Sequence, residues 1–273
     1  KMNTIRPFRK QFPFIAFLFL LQFTFGQYSM SFQDGGQRVD LPNVSALNFY
    51  NGDSFSIEYW IKNLNPDPND WGHIVGKRTG CGAEANIQFT FDANAFAFNF
   101  WFPDNIIPSY SIGSGFPATY NEWIHIAVSF DTEFLRMYVN GNSIGTVPAT
   151  MDENIDANWA IGTSGGCPDS WYGYIDEFRL WSKVLEESEI QANMFTELNG
   201  DEANLLGYWP FNTGSGGTAF DATDNNNHGT LVSASWVESE VNPGCTDPVA
   251  DNYSPDANFD DGTCIYPDNG DYA

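Results

Sequence analysis

Short runs of alternating apolar and polar residues set the tightest limit on what this chain can fold into. Phe55, Ile57, Tyr59 and Ile61 alternate with Ser56, Glu58, Trp60 and Lys62. Ile87, Phe89 and Phe91 alternate with Gln88, Thr90 and Asp92, and Ile124, Ile126, Val128 and Phe130 with His125, Ala127 and Ser129. Successive side chains of a strand point to opposite faces, so each run reads as a half-buried strand. Phe96, Phe98, Phe100 and Phe102 add another, with Trp101 on its other face. Leu135, Met137 and Val139 lead into Asn140-Gly141, which supplies the positive φ angles of a tight hairpin turn, so a return strand through Ile144 and Val147 is predicted. Clusters of Gly, Pro, Asn and Asp at 65–70, 103–114 and 162–169 separate the runs. The fold class that follows is all-β, an antiparallel two-sheet sandwich. One short helix is predicted at 185–195, with Ile190, Met194 and Phe195 on one face and Glu186, Glu187 and Glu189 at its electropositive start. Its expected role is a plug over an edge of the sandwich.

The N-terminus reads as an export signal. Arg6, Arg9 and Lys10 precede the apolar run from Phe12 to Leu21, and the small residues Thr24 and Gly26 frame a cut before Gln27. A membrane span needs about 20 apolar residues; this run is shorter and ends at Gln22. Lys1 stands ahead of Met2. With the signal gone, no later stretch is long and apolar enough to cross a bilayer, and the expected location is secreted or cell surface. Removing Lys1, Arg6, Arg9 and Lys10 leaves 7 basic against 35 acidic side chains, a net charge of −28. Nucleic-acid binding needs clustered Lys and Arg to displace counterions, so that function is excluded. Such acidity suits solubility in salt and cation binding without being specific for either.

All four cysteines, Cys81, Cys167, Cys245 and Cys264, follow the signal, and an even count in an exported chain favours disulfides. Of the three pairings, Cys81–Cys167 with Cys245–Cys264 is favoured, because the second pair shares a short segment of its own composition. Zinc is disfavoured: there is no C-x-x-C, and His73, His125 and His228 do not fall at ligand spacing. The expected organisation is a signal peptide at 1–26, a sandwich at 27–198, a strand unit completing or bordering it at 199–240, a Cys/Asp-rich module at 243–267 and a tail at 268–273.

Three motifs in order carry a resemblance: Phe55 to Lys62; Trp123 to Phe130 followed by Met137-Tyr138-Val139-Asn140-Gly141; and Gly173-Tyr174-Ile175-Asp176-Glu177-Phe178-Arg179-Leu180-Trp181. Together, over roughly 28–195, they resemble laminin G-like jelly-roll domains of the concanavalin A-like lectin/glucanase superfamily, which includes the pentraxins. Leu206 to Phe211, continuing through Asp221, Asn227-His228-Gly229-Thr230-Leu231 and Trp236, is similar to a strand unit that borders such domains. The segment from Gly244 to Cys264 resembles a short Cys- and Asp-rich repeat of secreted bacterial surface proteins. Phe25-Gly26-Gln27 resembles the end of Bacteroidetes-type export signals.

The resemblance implies two chemistries. Glucanases of this fold carry three acids on one strand face, as glycoside hydrolysis requires paired carboxylates. Here Tyr174 stands where the first acid would be and Arg179 where a later one would be, and alternation puts Asp176 and Glu177 on opposite faces. The expectation is no enzyme. Pentraxin-like relatives bind ligand where an early loop meets one preceding the closing strand. The matching stretches are 79–86 and 163–170, each holding one cysteine, with Glu84, Asn86 and Asp169 as oxygen donors for Ca2+. In the C-terminal module, Asp251, Asp256, Asp260 and Asp261 form a second candidate Ca2+ set, without the spacing of an EF-hand, against a reading as turn residues. Sugar recognition pairs an exposed aromatic face with polar donors. Trp171 and Tyr172 beside the disulfide loop, then Trp71, are the candidate ligand contacts, ahead of Trp60, Trp101 and Trp159. The expected function is a secreted, non-catalytic binding module for a glycan or extracellular glycoprotein at a bacterial surface. An accessory part of a polysaccharide-degrading enzyme, or a structural spacer, is the alternative.

Overall fold

A computed structural model describes residues 28–33, 35–50, 52–65, 71–78, 85–92, 95–100, 120–149, 157–163, 171–239 and 242–266. The export signal at 1–26, Cys81, Glu84, Trp101, Cys167 and Asp169 lie outside the described residues. The first half contains β1 (Tyr28–Phe32), β2 (Arg38–Asp40), β3 (Phe55–Asn63), β4 (Trp71–Arg78), β5 (Ala85–Asp92) and β6 (Ala95–Phe100). Next come β7 (Trp123–Phe130), β8 (Phe134–Val139), β9 (Asn142–Pro148), β10 (Trp159–Ile161), β11 (Gly173–Trp181) and the helix α1 (Glu187–Asn193). The chain continues through β12 (Leu205–Trp209), β13 (Thr218–Ala219), β14 (Gly229–Val232) and β15 (Ser235–Glu238).

These strands form two antiparallel sheets. One runs β15-β1-β11-β3-β7-β8-β9, with β12 also paired to β11; the other runs β13-β14-β2-β10-β4-β5-β6. Strand β11 shares one edge between two partners, β1 along Gly173–Ile175 and β12 along Phe178–Trp181. The strands of 199–240 therefore belong to the same sandwich: β12 and β15 extend the first sheet, β13 and β14 the second.

The alternating residues explain the core. Ile57, Tyr59 and Ile61 of β3, Ile126 and Val128 of β7 and Ile175 of β11 pack in one cluster with Val39, Val75, Phe89, Trp159 and Ile161 of the second sheet. Trp159 is fully buried, its indole N–H donating to the Leu47 carbonyl at 2.8 Å. Asn140 (φ 48°) and Gly141 (φ 74°) form the hairpin turn that the sequence predicts between β8 and β9. Gly141 also has to be small: a Cβ there would come within 2.8 Å of Gln191 Cγ on α1.

One expectation is corrected. The first sheet's central strands are not half-buried, since every residue of β3 and β7 is buried. The segment 183–196 lies over the outer face and is stitched to it. Ser56 Oγ donates to the Lys183 carbonyl at 2.8 Å, Ser129 Oγ to the Leu185 carbonyl at 2.9 Å, and the Trp60 indole N–H to the Met194 carbonyl at 2.9 Å. Trp60 is thus a buried residue in mid-strand, not a loop or edge tryptophan. Helix α1 is a plug, as predicted, but it covers a sheet face.

Beyond the sandwich, β16 (Pro243–Gly244) and β17 (Phe259–Asp260) pair in parallel inside the module closed by the Cys245–Cys264 disulfide. Phe259 places its ring 5.0 Å from Trp60 and 5.3 Å from Phe195, seating the module on the outer face of the first sheet.

Candidate functional site

The acid pair of β11 sits at a β-bulge. Asp176 opposes Trp60 and Arg179 opposes Glu58, so two residues of β11 face the single residue Tyr59 of β3. Glu177 takes φ 53° to absorb the extra residue. The bulge turns Glu177 to the side of Arg179, correcting the alternation argument that separated the two acids. Asp176 Oδ2 accepts from Ser29 Oγ at 2.9 Å and Ser239 Oγ at 3.1 Å. Glu177 Oε2 accepts from Tyr208 OH at 2.6 Å and Arg179 Nη2 at 2.8 Å. Arg179 also donates to Glu58 at 3.3 Å and to the Asn193 and Thr196 carbonyls, while the Trp181 indole N–H donates to Glu58 at 3.1 Å.

The electrostatics follow from enclosure. Burial, then the neighbouring Glu177, pushes the Asp176 carboxyl well above its usual range. Burial raises Glu177 too, opposed by Arg179. Burial works against the Arg179 charge, but Glu58 and Glu177 hold it firmly protonated. His125 is kept neutral by burial and by Arg179. Glu58, Asp176, Glu177 and Arg179 are each 1% exposed, so no scissile bond reaches between these carboxylates. The arrangement can hold segment 193–196 and β12 in place.

The sandwich end beside β3 carries the aromatic candidates. The Leu64 amide donates to the Tyr172 carbonyl at 3.1 Å, and Tyr120 bridges Asn63. Both residues therefore flank the end of β3, Tyr172 at 39% and Tyr120 at 58% exposure. Trp171 is placed differently: it is 2% exposed and belongs to the core cluster. Trp71 opens β4 opposite Asp92, and Asn86 lies in β5; neither side chain is among those described. Tyr120 was missed by sequence reasoning. Its one signal is its place just before the Asn121-Glu122 turn into β7. Gly173 follows Tyr172 because a Cβ there would lie 2.0 Å from the Lys62 carbonyl.

The module's acids serve turns. Asp260 accepts from the Gly262 amide at 3.1 Å, Asp261 from the Thr263 amide at 2.9 Å, and Asp247 from the Val249 amide at 3.0 Å. Asp251 and Asp256 are exposed. Among the described residues, no three His, Cys, Asp or Glu side chains gather as a group that could hold a metal ion. Nor is any helix among them long and apolar enough to cross a membrane.

Two antiparallel sheets packed face to face define an all-β sandwich. Residues 33–191, more than half of the chain, match the Laminin_G_3 family, and the chain belongs to the concanavalin A-like lectin/glucanases superfamily. Among solved structures, it is similar to a candidate carbohydrate binding protein from Bacteroides ovatus ATCC 8483, with TM-score 0.59 and 17% identity. That match covers 79% of this chain and 60% of the other, so this chain spans less than two thirds of its length. A SAP-like pentraxin from Limulus polyphemus matches with TM-score 0.47 and 14% identity over 61% of this chain and 81% of that one. A curated protein, the chloroplastic ribulose bisphosphate carboxylase/oxygenase activase of Arabidopsis thaliana, is 58% identical over only 33 residues, 12% of this chain and 7% of that one.

Proposed function

We propose that this chain is a secreted or cell-surface, non-catalytic binding module that attaches to a glycan or an extracellular glycoprotein at a bacterial surface. The observation that carries the reading is the contrast within the sandwich. The acid pair of β11 is enclosed at 1% exposure, whereas Tyr172 and Tyr120 are exposed on either side of the end of β3. An exposed aromatic ring offers apolar area to the C–H face of a sugar, and nearby amides orient its hydroxyls. The carbohydrate-binding description of the Bacteroides ovatus protein supports the ligand class. Calcium belongs to the proposal through the stretches 79–86 and 163–170, where it would tie loops at the ligand edge with Glu84, Asn86 and Asp169 as donors.

A glycan array on the whole chain, run with calcium and with chelator, tests this. Binding to one glycan class is expected, with Tyr172→Ala weakening it about tenfold, or ~1.4 kcal/mol. Loss with chelator assigns the calcium role, and retained binding makes the module metal-free. No binding to any glycan overturns the reading, and so does hydrolysis of a polysaccharide that Asp176→Asn abolishes.

A further inference from the structure

The C-terminal module turns most of its large apolar side chains outward. Phe259 is committed to the seat against Trp60 and Phe195. Val249, in contrast, is 71% exposed, Ile265 58%, Tyr266 55% and Tyr253 42%. None of these four belongs to the core clusters of the sandwich. They stand on adjoining segments. Asp247 accepts from the Val249 amide at 3.0 Å and from the Tyr266 hydroxyl at 2.9 Å. The Asp251 amide donates to the Ile265 carbonyl at 2.7 Å, and the Ile265 amide to Asn252 Oδ1 at 2.7 Å. An apolar side chain exposed singly needs no explanation, whereas a group of them rimmed by polar residues marks an interaction surface. The charge around this group has one sign. The module carries Asp247, Asp251, Asp256, Asp260 and Asp261 with no Lys, Arg or His, and no Lys or Arg follows Lys183 in the chain.

We infer that this face of the module docks a segment of another protein that carries aliphatic side chains together with Lys or Arg. Val249 and Ile265 suit aliphatic partners. The Tyr253 and Tyr266 rings attract a guanidinium or ammonium group through their faces. Asp247 and Asp251, bonded to these same segments, place carboxylates beside them. Charge complementarity selects the occupant. A second copy of this chain is itself strongly acidic, and the tail at 267–273 adds Asp268 and Asp271 with no basic residue, so both would meet like charge. An anionic lipid surface would be repelled on the same ground. The face shares no residue with the end of β3, so it gives the chain a protein partner independently of any glycan held there.

The test titrates the intact chain with a short peptide of alternating leucine and arginine, and reads the methyl resonances of Val249 and Ile265 by nuclear magnetic resonance. An all-arginine peptide and one of alternating leucine and glutamate are the controls. The leucine–arginine peptide is expected to move both methyl resonances saturably, with binding that weakens severalfold as salt is raised. Val249→Ser/Ile265→Ser keeps every charge and alters two exposed positions, and is expected to weaken binding about tenfold or more. Asp251→Asn, also at an exposed position, is expected to weaken it severalfold. Phe220→Ser, which removes a comparably exposed ring from the loop before β14, leaves it unchanged. The inference fails if either control peptide binds as tightly, if the methyl resonances stay still, or if the double variant binds at full strength. A dimer of the free chain that the double variant dissolves, or movement of those methyls on removal of 267–273, would give the face to the chain itself and overturn the separate partner.

Discussion

His73 lies at 0% exposure in β4, where burial, then the Arg78 charge, lowers its pKa from 6.5 to about 4. The folded chain therefore keeps this imidazole neutral while the unfolded chain protonates it. Its contribution is fully present above about pH 6.5 and is lost as pH falls through about 4. Asp176 works in the opposite sense, because its raised pKa makes the folded state bind a proton more readily than the unfolded one. The two slopes overlap, so the informative quantity is a difference between proteins. Urea midpoints measured between pH 7 and pH 4.5 should fall more steeply for the wild type than for His73→Phe. Equal slopes would show that His73 does not titrate on unfolding. Residue-scale features were the least legible in the sequence. Nothing in Asp176-Glu177-Phe178 announces a bulge, because period two is a rule about regular strands and the extra residue is set by pairing with β3. Trp60 and Lys62 read as solvent-facing for the same reason, since strand periodicity says which face a residue occupies and not what covers that face.

At the scale of elements, the loop between β13 and β14 depends on one carboxylate. Asp221 is 5% exposed and accepts from the amides of Tyr208, Thr223 and Asn227 at 3.0, 2.9 and 2.8 Å, and from the Thr223 hydroxyl at 2.9 Å. It ties β12 to the loop that leads into β14. Asp221→Ala strands three amide donors and should cost about 3 kcal/mol or more, read as a lower urea midpoint with unchanged slope. Asp221→Asn, which keeps one carbonyl oxygen, should recover part of that loss; an alanine variant as stable as wild type would remove the anchor role. Elements were far more legible than residues. Asn140-Gly141, the alternation of β3 and β7, and the Gly229–Val232 strand are local signals, and local chemistry decides them. The attachment of β12 to β11 is a long-range pairing, so the segment alone left open whether it completes this sandwich.

For the whole molecule, the module has little apolar substance of its own, and its fold rests on the 19-residue loop closed by Cys245–Cys264 and on the contact of Phe259 with Trp60. Closing such a loop is worth roughly 3 kcal/mol. The double variant Cys245→Ser/Cys264→Ser should expose 242–266 to protease while the sandwich stays resistant, as limited proteolysis followed by mass spectrometry would show. Equal resistance of both parts would mean that the seat on the sheet suffices. The sequence foresaw this disulfide from the shared composition of its segment, whereas the Cys81–Cys167 pairing falls outside the described residues.

The pairing of β1 with β15 has a mechanical meaning. Tyr28 lies opposite Glu238, so the chain enters and leaves this part of the sandwich side by side. In an antiparallel ladder the bonds run perpendicular to the strands, so tension applied at those two points loads the outermost pair first. The ladder then peels open pair by pair instead of resisting in shear. Under such tension this edge is the first to yield, and the end of β3 flanked by Tyr172 and Tyr120 lies elsewhere in the sheet.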